Sequence, residues 1–127
     1  MGSSNASAAA TILLVEDELM VRDLMVTLLT RSGHKVLVAA TAAEARRLFL
    51  DASDAIDLVV TDVSLPDGDG MRLAEEFRTR RPSLKVICTS GSFAAPAGPR
   101  AEGPTLFLEK PFSAASLSQA IRQMLDA

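Results

Sequence analysis

Five short, nearly unbroken apolar runs, each followed by a stretch of different period, constrain this 127-residue chain more than any other feature. They are Thr11-Ile12-Leu13-Leu14-Val15, Val36-Leu37-Val38-Ala39-Ala40, Leu58-Val59-Val60-Thr61, Val86-Ile87-Cys88-Thr89 and Thr105-Leu106-Phe107-Leu108. A strand with one wet face alternates apolar and polar residues, whereas a strand covered on both faces has no reason to. The runs therefore predict strands of a parallel sheet. Helical segments between them predict right-handed crossovers that cover both faces, which is a doubly wound α/β architecture.

The intervening segments have helical period. Val21, Leu24, Met25, Leu28 and Leu29 share one helix face, and Gly33 can end that helix in the left-handed conformation. Thr41-Ala42-Ala43-Glu44 reads as a capping box, followed by Ala45, Leu48 and Phe49 as the apolar face. Met71, Ala74 and Phe77 stripe a third helix, which should stop near Arg81 because Pro82 follows. Ser113 caps a last helix carrying Leu117, Ile121 and Leu125. Residues 93–104 break the pattern with Pro96, Pro99, Pro104, Gly98 and Gly103. Interior prolines delete helix hydrogen bonds and clash, so a short distorted helix or an irregular loop is expected there.

Composition narrows the classes. The length fits one domain with a real core. A net charge of −3 gives no case for nucleic-acid binding. Cys88 is the sole cysteine, which excludes an internal disulfide and fits a reducing, cytoplasmic setting. No apolar run approaches the roughly 20 residues that span a bilayer. Residues 1–10, MGSSNASAAA, lack the pattern of a signal peptide and are expected to be a leader or disordered start, with the domain over 11–127.

In doubly wound sheets ligands bind at the carboxyl ends of the strands. Those ends carry Glu16, Asp17 and Glu18 after the first run, Asp62 after the third, Ser90 and Gly91 after the fourth, and Lys110 and Pro111 after the fifth. Two carboxylates about 4 Å apart repel by roughly 4 kcal/mol at an effective dielectric of 20. Such a cluster must hold protons or bind a cation. With oxygen ligands and no His or Cys, the expected ion is Mg²⁺, with Glu16, Asp17 and Asp62 as ligands and Lys110 as a fixed positive charge. A carboxylate beside a metal, a lysine and a hydroxyl is equipped for phosphoryl transfer. Asp62 would form an aspartyl phosphate while Lys110 and Ser90 stabilise the phosphoryl oxygens.

Plainer readings compete. Glu18 suits a helix N-terminus, Lys110-Pro111 a surface turn, and Ser90 a helix cap. Asp67-Gly68-Asp69-Gly70 resembles a fragment of a calcium loop but reads better as a turn. His34 is read as structural and Cys88 as an inert core thiol. What separates the strand-end residues from such readings is their coincidence on one edge of one sheet.

Four segments carry a family resemblance: Ile12 to Glu18, Thr61 to Gly70, Val86 to Gly91 and Phe107 to Phe112. In this order and spacing they resemble the response-regulator receiver domains of two-component signalling, over essentially 11–127. The resemblance implies a flavodoxin-like sheet of order 2-1-3-4-5. It implies Asp62 as phosphoacceptor, Glu16 and Asp17 as the acidic pair with Asp17 the more direct metal ligand, and the Ser64 backbone carbonyl as a further ligand. Lys110 matches the family's lysine, Pro111 a proline commonly preceded by a cis bond, Ser90 the switch hydroxyl and Phe107 the switch aromatic. On the residues alone Phe107 is a core residue. The implied mechanism is a population shift that alters the surface of residues 93–104, the fifth strand and the last helix. The implied partners are a sensor histidine kinase or histidine phosphotransfer protein and a downstream output domain or protein. A homodimer is left open; direct nucleic-acid or membrane contact is not implied, nor is enzymatic activity beyond its own phosphorylation and dephosphorylation.

Ser90-Gly91 and the short proline-rich segment are similar to receivers attached to histidine kinases. Ser64 and Ser92 match positions that tune dephosphorylation in the family. The irregular 93–104 segment departs from it. Two alternatives compete. A receiver-like interaction module that is not phosphorylated is opposed by the intact Asp62, Asp17, Ser90 and Lys110. A phosphatase with an aspartyl nucleophile is opposed by Val63 and Ser64 after Asp62, where such enzymes carry Asp-x-Asp, and by the lack of room for a cap domain.

Overall fold

A computed structural model describes residues 9–91 and 104–126 of the chain. Five parallel strands, β1 (Thr11–Val15), β2 (Lys35–Ala39), β3 (Leu58–Asp62), β4 (Lys85–Ser90) and β5 (Thr105–Glu109), lie in the order β2-β1-β3-β4-β5. The helices are α1 (Leu19–Arg31), α2 (Ala42–Ala52), α3 (Gly70–Arg78) and α4 (Ala114–Asp126). This is the doubly wound, flavodoxin-like order expected. The expectation for 93–104 falls outside the described residues except at Pro104.

The apolar runs are unbroken because alternate residues feed two cores. Leu13, Val15, Val59, Val86 and Cys88 pack with Phe49 of α2 and Leu73 and Phe77 of α3. Ile12, Leu14, Leu58, Val60 and Ile87 pack with Met25 and Leu29 of α1 and Leu117 and Ile121 of α4. Full burial of each such side chain contributes about 1.5–3 kcal/mol. The Phe49 and Phe77 rings stack with centroids 4.1 Å apart, joining α2 to α3. Polar residues extend the strands beyond the apolar runs, since Lys35, Asp62, Lys85, Ser90 and Glu109 still pair through their backbones.

The helix ends follow the sequence with three corrections. Gly33 adopts φ +92° after α1, as the stop requires. Leu24, expected on the buried face of α1, is 56% exposed, because Met25 and Leu29 face the sheet. Thr41 Oγ1 accepts the Glu44 N–H at 3.1 Å, but the Glu44 carboxylate takes the Ala40 N–H at 2.7 Å, one residue before the bond of a capping box. Helix α3 ends at Arg78, earlier than Pro82 alone demands, and the N–H groups of Thr79, Arg80 and Arg81 close a turn onto Glu76 and Phe77 carbonyls. Ser113 caps α4, its Oγ accepting the Ser116 N–H at 3.0 Å. Among the described residues no helix is long and apolar enough to cross a membrane.

Candidate functional site: a charged cluster at the carboxyl edge

The parallel register sets Val15 beside Thr61 and Asp62 beside Thr89, so the residues that follow β1 meet the end of β3. Lys110, just past β5, spans them. Its Nζ donates to Glu16 Oε1 at 3.0 Å and to Asp62 Oδ2 at 2.9 Å. The remaining carboxylate oxygens are also engaged: Glu16 Oε2 accepts the Glu18 N–H at 3.1 Å and Asp62 Oδ1 the Ser64 N–H at 3.2 Å. Glu16 is buried, Asp62 and Lys110 are partly buried, and Asp17 is exposed. One carboxylate oxygen from each of Glu16, Asp17 and Asp62 lies within 4.8 Å of the others. Three carboxylates against one ammonium leave a formal charge of −2.

Electrostatics follow from this packing. Burial pushes the Glu16 carboxyl above its ordinary value, opposed by the Lys110 hydrogen bond and the Glu18 N–H. Burial alone would lower Lys110, but its bonds to Asp62 and Glu16 outweigh it and hold the ammonium up. An all-oxygen donor set with excess negative charge and an exposed member, Asp17, fits a hard divalent cation of the Mg²⁺ kind.

Two further expected residues border the cluster. Ser90 closes β4, and its carbonyl accepts the Lys110 N–H at 2.8 Å. Phe107 lies opposite Cys88 in β5 and packs, half-buried, against the α2–α3 side of the core. The Lys110–Pro111 bond is cis. Glu18 is the exposed N-cap residue of α1 without a side-chain capping bond. His34 accepts the Ala10 N–H at 3.1 Å, and burial pushes the Cys88 thiol up to about 12.

Gly70 is a requirement that the turn reading did not single out. A Cβ there would lie 2.0 Å from the Asp62 carbonyl oxygen and 2.7 Å from Thr61 Oγ1. Only glycine lets the start of α3 come this close to the end of β3. Within the same turn, Asp69 caps α3, accepting the Met71 N–H at 2.7 Å.

The profile of the response regulator receiver domain family matches residues 12–122. The chain belongs to this family. Over 127 aligned residues it is 38% identical to the sensor kinase CckA of Brucella abortus, covering 98% of the chain and 13% of CckA. It is 30% identical to the transcriptional regulator NtrC of Azospirillum brasilense, covering 94% of the chain and 25% of NtrC. The crystal structure of the receiver domain from the hybrid histidine kinase CckA superposes with a TM-score of 0.80 at 33% identity, covering 91% of the chain and 99% of that domain. The chain thus spans a quarter or less of the length of these two relatives.

Proposed function

We propose that this receiver is a phosphoacceptor switch that takes a phosphoryl group from the phosphohistidine of a kinase or phosphotransfer protein onto Asp62. The observation that carries the reading is Lys110 Nζ held between Glu16 and Asp62, beside carboxylates bearing excess charge. Asp17, Asp62 and the Ser64 carbonyl would hold Mg²⁺, with Glu16 as the buried anchor of Lys110 and a supporting ligand. When bound, the ion offsets charge on the phosphoryl oxygens. A carboxylate oxygen of Asp62 attacks phosphorus as the P–N bond breaks, and the electron pair leaves with the imidazole nitrogen. Lys110 holds one phosphoryl oxygen and the Ser90 hydroxyl another. Ser90 moving to the phosphoryl group lets Phe107 turn inward, which changes the output surface at β5 and α4.

A phosphohistidine reaches Asp62 only if its protein covers the rim of the site. The first turns of α1 start directly after the acidic pair and expose Leu19, Met20 and Leu24, with Met20 at 80%. In this reading these exposed apolar side chains form the docking surface for the donor. This role places the receiver in the cytoplasm, joined or docked to a histidine kinase, with catalysis limited to its own phosphorylation and dephosphorylation.

The test is intact mass after incubation with acetyl phosphate, with and without Mg²⁺, alongside Asp62→Asn. The expected result is a Mg²⁺-dependent gain of one phosphoryl group that the variant lacks. A folded, Mg²⁺-binding protein that gains nothing here or from a phosphohistidine donor would refute the switch. Loss of Mg²⁺ binding as well would favour a silent interaction module.

A further inference from the structure

Between Asp62 and α3 the chain folds into a two-residue antiparallel ladder, Ser64–Leu65 against Gly68–Asp69. A hairpin this small does not hold its shape alone. Its base is fixed: the Val63 N–H donates to the Thr89 carbonyl at 2.9 Å and the Gly70 N–H to the Val63 carbonyl at 2.8 Å. Its tip is fixed by Asp67. One carboxylate oxygen accepts the Ala42 N–H at 2.7 Å and the other the Ala43 N–H at 3.0 Å. These are the first two N–H groups of α2, and the third, that of Glu44, goes to Thr41. The acceptor is thus a carboxylate 25 residues from Ala42, carried by the site hairpin itself. The positive end of α2 favours an anion there. The tip also lies directly on α2, since a Cβ on Gly68 would sit 3.9 Å from that of Ala42. Arg46 of α2, paired with Glu76 of α3 at 2.8 Å, adds positive charge on the same side.

We infer that Asp67 is a positioning residue for the cation site: by clamping the hairpin tip onto α2 it fixes the Ser64 backbone beside Asp62. The inference rests on the proposed role of the Ser64 carbonyl as a ligand. Mg²⁺ demands near-ideal octahedral geometry, so a carbonyl on a loosened hairpin binds it poorly. Both Asp67 carboxylate oxygens are taken by α2, so Asp67 would act on the cation site through the hairpin.

Titration calorimetry with Mg²⁺ on the parent, Asp67→Ala, Asp67→Asn and Thr41→Ala separates this role from plain helix capping. Asp67→Ala should raise the Mg²⁺ dissociation constant about tenfold, in the range seen when residues that orient ligands are lost. Asp67→Asn should recover part of it, because its oxygen still accepts a helix N–H. Thr41→Ala weakens the same helix end without touching the hairpin. It should lower the melting temperature and leave the dissociation constant unchanged. The Ser64 amide resonance should move in Asp67→Ala and stay in Thr41→Ala. An unchanged constant in Asp67→Ala, or an equal rise in Thr41→Ala, overturns the inference. A parent that binds no Mg²⁺ removes the cation-site reading itself, and the inference with it.

Discussion

The two ends of the sheet differ in what their charged side chains meet. At the amino end, several charged side chains and one polar ring bond backbone groups. Asp57 Oδ2 accepts the Thr11 N–H at 2.9 Å, Lys85 Nζ donates to the Leu125 carbonyl at 3.2 Å, Arg81 reaches the carbonyls of Ser53 and Ile56, and His34 accepts from Ala10. A groove of ≈ 530 Å³ opens there, and its charged lining is of both signs, Asp57 and Asp126 against Arg81, Lys85 and Arg122. At the carboxyl end, Lys110, Glu16 and Asp62 bond to one another as well as to backbone N–H groups, and with Asp17 beside them negative charge is left uncompensated. A charge that ends on backbone ties a loop down, whereas three carboxylates sharing one ammonium leave excess negative charge that can attract a cation. The proposed chemistry belongs to the charged cluster at the carboxyl end and uses no residue of this groove.

That contrast can be broken from either end. Lys110→Met should have the largest effect, slowing phosphoryl uptake about a hundredfold. It should also cost about 2 kcal/mol of stability, less than a fully buried pair because Lys110 is partly exposed, by leaving the Glu16 charge buried without its partner. Unchanged uptake in an intact-mass time course would reduce Lys110 to a tether. Met20→Glu should slow transfer from a phosphohistidine protein about tenfold, the cost of a modest interface hot spot, while uptake from acetyl phosphate stays the same. Equal slowing with both donors would place the effect in the site instead of at a docking surface.

Arg81→Met tests the other end. Losing its bonds to two loop carbonyls should cost about 1–3 kcal/mol in urea unfolding and leave phosphoryl uptake untouched. A change in uptake would show that the two ends are coupled. The smallest effect concerns His34, the chain's single histidine, whose pKa burial lowers from the ordinary 6.5. As pH falls, the unfolded chain takes up the proton first. The contribution to stability is therefore full above 6.5 and is lost as pH falls through the lower folded value. Melting temperatures of the parent and His34→Gln should converge toward acid pH. Glu16, raised by burial, acts with the opposite sign in both proteins and cancels in the difference.

Much of this was legible in the residues themselves. Short runs that stay apolar at consecutive positions and alternate with helical segments fit a sheet covered on both faces, and Leu13 and Leu14 duly enter different cores. The strand-end rule then placed Glu16, Asp62 and Lys110 at one edge. Leu24 misled because a helical stripe gives a face but not its width, and the sheet covers only its centre at Met25 and Leu29. Glu44 did not complete the capping box as written, because its carboxylate takes the Ala40 N–H one residue earlier.

The sequence by itself determined the layers and the residue types at the carboxyl edge, because these follow from periodicity and local backbone preference, and the family resemblance supplied the strand order. Tertiary structure alone decided the rest. Nothing local requires Lys110 to bridge Glu16 and Asp62, Gly70 to be bare against the Asp62 carbonyl, or Asp67 to reach α2. The Lys110 and Asp67 contacts join segments far apart in the chain, set by where the parallel crossovers deliver them, and the Gly70 contact depends on how closely α3 starts beside the end of β3. Such contacts depend on distances between elements, which no local pattern encodes.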